Sequence, residues 1–189
     1  MLTFESDVKK IRFWINERPD IPKYSGVSVS AEIIVQTHKS MNKMDMSVEF
    51  LLPWHSSNYA LLCMEYFPDN TGVLKVNVNG FKVNKVKLKN RLSHIGDEIS
   101  LGICSDYAEE ILNYVSRHEK VNEIPSGELT FYSGAYSKIG SSLMAYLTAV
   151  EMLLKLLVLD NYSLESLEVE ALLDESLFEC RKRYNALKE

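Results

Sequence analysis

The chain is poor in the residues that usually advertise chemistry. Its three cysteines, Cys63, Cys104 and Cys180, are far apart and odd in number. None sits in a CxxC pair or a Cys/His cluster, so neither a zinc site nor a disulfide framework is indicated, and free thiols suit a reducing, cytoplasmic setting. His38, His55, His94 and His118 are scattered without HxH or HExxH spacing, which leaves no metal motif and implies no cofactor. There is no G-x-S-x-G elbow and no glycine-rich phosphate loop. Basic residues are in deficit: the net charge is −5, against the basic balance of general nucleic-acid binders. The start, MLTFESDVKK, lacks the basic-then-apolar pattern of a secretory signal.

What is present is a core. Hydrophobic residues make up 46% of the 189 and charged ones 25%, ordinary for a globular protein. The stretch from Glu128 to Leu159 organises the rest. Leu129, Phe131 and Ala135 alternate with polar neighbours as in a strand, and Gly134 and Gly140 bracket a turn. Ser141 or Ser142 then caps a helix. From Leu143 to Val158 apolar residues occupy every face of that helix, so it is buried or membrane-spanning. Glu151 and Lys155 interrupt the run short of the ~20 residues a span needs, and the expected arrangement puts their edge at the surface.

Phe131 to Met152 also carries a resemblance. Tyr132, Gly134, Tyr136, Ser141, Ser142, Met144 and Ala145 match a Tyr-x-Gly-x-Tyr strand end, a Ser-Ser helix start and a Met-Ala step. This segment resembles domain IV of translation elongation factor G, and residues 100–118 resemble the helix that precedes it. The likeness spans roughly residues 100–158 and implies a ribosomal protein S5 domain 2-like βαβ segment with a left-handed crossover. The factor's tip loop and GTPase domain have no counterpart here, so the likeness speaks to fold.

Elsewhere, Phe4, Val8, Ile11, Trp14 and Ile15 predict an N-terminal helix capped by Ser6, with a strand over IRFWIN as the alternative. RPDIPKYSG is a linker. Val27 to Val35 and Met44 to Leu52 alternate with period two, predicting strands with one buried and one wet face, joined by a polar connection of hairpin length. Residues 54–67 read as a short helix capped by Ser56 or Ser57, or as a further strand. VLKVNV and FKVNKVKL flank Asn79-Gly80, a strong hairpin signal, with a bulge near Asn84 and Lys85. A strand over 97–103 and a helix capped by Ser105 or Asp106 follow. A last helix starts at Ser163, with Leu164, Leu167, Ala171, Leu172 and Phe178 on its apolar side. The expectation is one domain of α+β class: an N-terminal helix and linker over 1–25, a core over 26–160 and a C-terminal helix over 161–189. Its sheet is largely antiparallel, includes the N-terminal strands and carries helices on one face.

For function, the final helix is acidic first, at Glu165, Glu168, Glu170, Asp174 and Glu175, and basic at its end. An acidic domain with no catalytic motif suits a non-enzymatic protein-binding module. An immunity-type protein that neutralises a basic toxin is the leading form, since opposite charge steers such pairs together. Lys82, Lys85, Lys87, Lys89 and Arg91, with Lys75, support an alternative, a translation- or RNA-associated factor; the same lysines also guard an exposed strand against edge pairing. Trp54-His55 with Tyr59 is a hot spot or a buried strand end. Ser133, Ser137 and Cys104, the last before a helix start that would lower a thiol's pKa, are the nucleophile candidates for a third reading, an enzyme whose site assembles only in three dimensions.

Overall fold

Period-two alternation decides most of the fold. A computed structural model describes residues 1–5, 9–23, 26, 28–36, 40–52, 59–80, 92, 98–137, 140–159 and 166–186. Its strands are β1 (Leu2–Glu5), β2 (Lys10–Ile15), β3 (Val29–Ile34), β4 (Met44–Leu51), β5 (Tyr59–Pro68), β6 (Val73–Val78), β7 (Ile99–Leu101) and β8 (Gly127–Ser137). Its helices are α1 (Ser105–Ser116), α2 (Leu143–Leu157) and α3 (Ser166–Ala186), with a 3-10 turn over Glu119–Glu123. The strands form one mixed, mainly antiparallel sheet in the order β1-β2-β4-β5-β8-β6-β3, and β7 extends it beside β8. Only β6 and β8 run parallel among the described strands, and α1 lies in their connection.

The helices lie on one face. α1 covers β3 and β6, α2 covers β4 and β5, and α3 packs beside α2 and reaches β1. Met46, Val48, Phe50, Leu62, Met64, Leu74, Val76, Leu129 and Phe131 point toward them and join Leu147, Val150, Leu153 and Leu154 in the main core. A second apolar cluster, with Leu51, Tyr59, Leu61, Cys63, Leu101 and Tyr132, lies on the far face. The chain thus has the expected α+β class, and β1 and β2 belong to the same sheet as β8.

Several local expectations are corrected. The N-terminal helix is absent over its described residues: Ile11 and Phe13 turn to the main core and Trp14 to the far face, which is strand geometry. Residues 59–67 are strand, because Tyr59 to Met64 are buried on both faces and such a run has no period to distinguish it from a helix. The face of β4 expected to be wet is buried as well. β3 and β4 do not form a hairpin; β4 sits between β2 and β5, and β3 lies at the far edge against β6. Both edges of β6 are taken, by β3 and β8, so the Asn79-Gly80 hairpin does not form on it. The second arm of that hairpin lies outside the described residues.

The turn bracketed by Gly134 and Gly140 falls in the second half of that span. Gly134 is inside β8, where a Cβ would stand 2.6 Å from the Leu61 carbonyl oxygen. Tyr132 has no register partner opposite Cys63 and Met64, which marks a bulge. The chain turns after Ser137, whose hydroxyl accepts from the Gly140 N–H at 2.8 Å. Ser142 caps α2 by accepting from Ala145 N–H at 3.2 Å. α1 begins one residue earlier than expected, with Cys104 at its N-cap position and no side-chain cap bond. Among the described residues, no helix is long and apolar enough to cross a membrane.

Candidate functional site

Two buried polar clusters hold the charged groups that sequence reading placed in solvent. The first lies on the far face of the sheet. Asp45 and Glu65 are direct cross-strand partners on β4 and β5, a repulsive pairing of like charges. The segment 16–23 answers it with two cations. Arg18 Nε donates to Asp45, and its Nη2 lies 3.7 Å from Glu65. Lys23 Nζ donates to both Glu65 oxygens, at 2.5 and 2.6 Å. Tyr132 donates its hydroxyl to Asp45 at 2.9 Å, and its ring centroid is 5.4 Å from the Arg18 guanidinium and 5.2 Å from the Lys23 ammonium. Glu49 accepts from Tyr59 O–H and Leu92 N–H and faces Arg12 at 3.5 Å. Each carboxylate therefore has its own cation. Burial pushes the Cys63 thiol among them up to about 12, which keeps it protonated.

The second cluster corrects the placing of Glu151. This residue is fully buried, at the junction of α1, the 3-10 turn, α2 and α3. Its Oε2 accepts from Tyr114 O–H at 2.6 Å and lies 2.7 Å from His118 Nε2. His118 Nδ1 accepts the Lys120 N–H at 3.0 Å, which leaves the ring proton on Nε2 to be donated to Glu151. Lys155 Nζ lies 3.6 Å from Oε1 and Arg183 Nε 3.8 Å from Oε2. Burial pushes the Glu151 carboxyl up, but the hydrogen bonds from His118 and Tyr114 and the nearby cations outweigh it and hold the group below its ordinary 4.5. Its charge therefore stabilises the fold above that pH and is lost as pH falls through the lowered value. We expect the acid unfolding of Glu151→Gln to be shallower than that of the wild type below about pH 4.5, read by circular dichroism; equal slopes would refute this.

The carboxylates of both clusters are engaged by protein groups. Two of the nucleophile candidates make local contacts: Ser133 donates to the Pro22 carbonyl at 2.8 Å, and Ser137 holds the turn before α2. An open cleft of about 380 Å³ at the end of β5 is lined by Gln36, Met41, Asp69 and Asn70. Its carboxylate, Asp69, is committed to the Thr71 N–H and hydroxyl, at 2.9 and 2.8 Å. Among the described residues, no group of three His, Cys, Asp or Glu is placed to hold a metal ion.

The acidic helix is partly as expected. Glu165 lies outside the described residues. Glu168 is exposed. Lys9 binds Asp174 at 2.7 Å and Glu170 at 3.2 Å, and Lys155 binds Glu175 at 3.2 Å. These contacts tie α3 to the body, yet the Asp174 and Glu175 side chains stay 55% and 65% exposed. The apolar side of α3 is the predicted one only in part: Leu172 packs against the main core, while Leu164 lies outside the described residues and the Leu167 side chain is not described. Val169, Leu173, Ser176 and Cys180 face inward, whereas Ala171 is exposed and Phe178 is 66% exposed. Hence Ala171, Asp174, Glu175, Phe178, Arg181, Lys182 and Asn185 form one outward stripe. Its i, i+3, i+4, i+7 spacing was readable; which side of α3 faces α2 was not.

The basic residues Lys82, Lys85, Lys87, Lys89 and Arg91 lie outside the described residues, as do Trp54, His55, His38 and His94. Lys75, on β6, sits 3.8 Å from Glu128. Comparison of the chain with protein-family models, with curated proteins and with solved structures found no match.

Proposed function

We propose that the chain is a non-enzymatic protein-binding module that meets its partner through the outward stripe of α3. The observation that supports this reading is Phe178, an aromatic ring 66% exposed between acidic and basic side chains. An aromatic anchor inside a charged rim is the composition of interaction hot spots. The acidic half and the net charge of −5 favour a basic partner by electrostatic steering. A protein that neutralises a cognate basic toxin is the finer form of the proposal.

The test is affinity capture from the native host, followed by titration with the partner it identifies. One stoichiometric partner is expected, with Phe178→Ala weakening it by about tenfold or more. Reversing Glu168, Asp174 and Glu175 to Lys should slow association. A partner indifferent to all of these changes would remove α3 from the interface. The toxin reading further requires that an equimolar amount of the chain abolish the partner's activity. Ribosomal proteins that are captured and then lost at higher salt would point instead to a translation-associated role.

A further inference from the structure

The stripe on α3 is self-complementary in charge. Counted outward from Phe178, Glu175 and Arg181 stand at three residues, Asp174 and Lys182 at four, and Ala171 and Asn185 at seven. All are exposed. We infer that this face pairs with α3 of a second copy, antiparallel about a two-fold axis through Phe178. In that arrangement Glu175 meets Arg181 of the other copy, Asp174 meets Lys182, and both pairs recur by symmetry. The two Phe178 rings meet at the axis. An isologous contact needs one patch complementary to itself, and this patch supplies opposite charges at reciprocal positions. An unrelated basic partner would match only its acidic half.

The inference rests on the surface named above and specifies one occupant of it. A second copy and a basic partner would compete for Asp174 and Glu175, so partner binding should dissociate the dimer. A single pair of helices buries less than the ~1,200 Å² of a standard interface, so the dimer is concentration-dependent. Its charged pairs are exposed, so it weakens with added salt.

Sedimentation velocity over a concentration series tests this in the full chain. The wild type is expected to dimerise reversibly, and Phe178→Ala to raise the dissociation constant at least tenfold. Asp174→Lys/Glu175→Lys and Arg181→Glu/Lys182→Glu should each be monomeric alone, because each makes the patch one sign. Mixed in equal amounts they should form a heterodimer. A monomeric wild type, or two reversed variants that fail to associate while keeping the wild-type circular dichroism, would overturn the inference. In that case a heterologous partner lost with Phe178→Ala would leave the proposed function standing. A dimer with no heterologous partner would do the reverse.

Discussion

Glu151→Ala is expected to destabilise the protein by about 3–5 kcal/mol, the cost of breaking a buried ion cluster from one side. The carboxylate is fully buried and receives the Tyr114 hydroxyl at 2.6 Å and the His118 ring N–H at 2.7 Å. Lys155 and Arg183 lie within 3.8 Å of it. Truncation leaves two cations and two donors facing a void. Lys155 keeps Glu175, and Arg183 keeps Glu119 at 2.6 Å, but those partners are 65% and 69% exposed and compensate little. Tyr114→Phe removes one donor and should cost about 1–2 kcal/mol. Denaturant unfolding measures both. If Glu151→Ala costs no more than Tyr114→Phe, the cluster is not a structural keystone.

The cluster joins α1, the 3-10 turn, α2 and α3, so its loss should also loosen the docking of α3. The fully buried stripe of α3 is thin, Val169 and Leu173 with a serine and a cysteine, and partly buried Leu172, Leu177 and Tyr184 pack beside it. Charge contacts at Lys9, Lys155 and Arg183 supplement it. Hydrogen exchange in Glu151→Ala should therefore rise first in α3, ahead of β5 and β8 at the centre of the sheet.

Gly127→Ala is the second large effect, about 2–6 kcal/mol from backbone strain and overpacking together. Gly127 opens β8 between Pro68 on β5 and Leu74 on β6. Its φ of +154° is one that side-chain-bearing residues rarely adopt, which costs about 1–3 kcal/mol. An added Cβ would stand 2.3 Å from the Phe67 carbonyl oxygen and 3.0 Å from Pro68 Cα. Both are backbone atoms, so two strands must part, at about 1–3 kcal/mol for overpacking. Gly72→Ala is the control. It has a positive φ of +76° but no atom within 4 Å of the new Cβ, so it carries strain without the clash. If the two variants unfold at the same denaturant concentration, backbone contact at Gly127 contributes nothing.

The sequence by itself determined the α+β class, the strand at Val73 to Val78, the strand into the apolar helix at Leu143 and a serine cap at Ser141 or Ser142. Each of these rests on contacts between residues close in the chain, where spacing and geometry coincide. Only the tertiary structure decided which strands are neighbours. β3 looked like the hairpin partner of β4, yet pairs with β6, because local alternation fixes faces and leaves pairing open. It also decided burial. Asp45, Glu49, Glu65 and Glu151 sat in polar phases that would face water on an isolated strand or helix. Segment 16–23 and helix α3 cover those phases, and cations distant in sequence balance their charge. The same step exposed Phe178, since a helix with a weak apolar stripe is oriented by what it packs against.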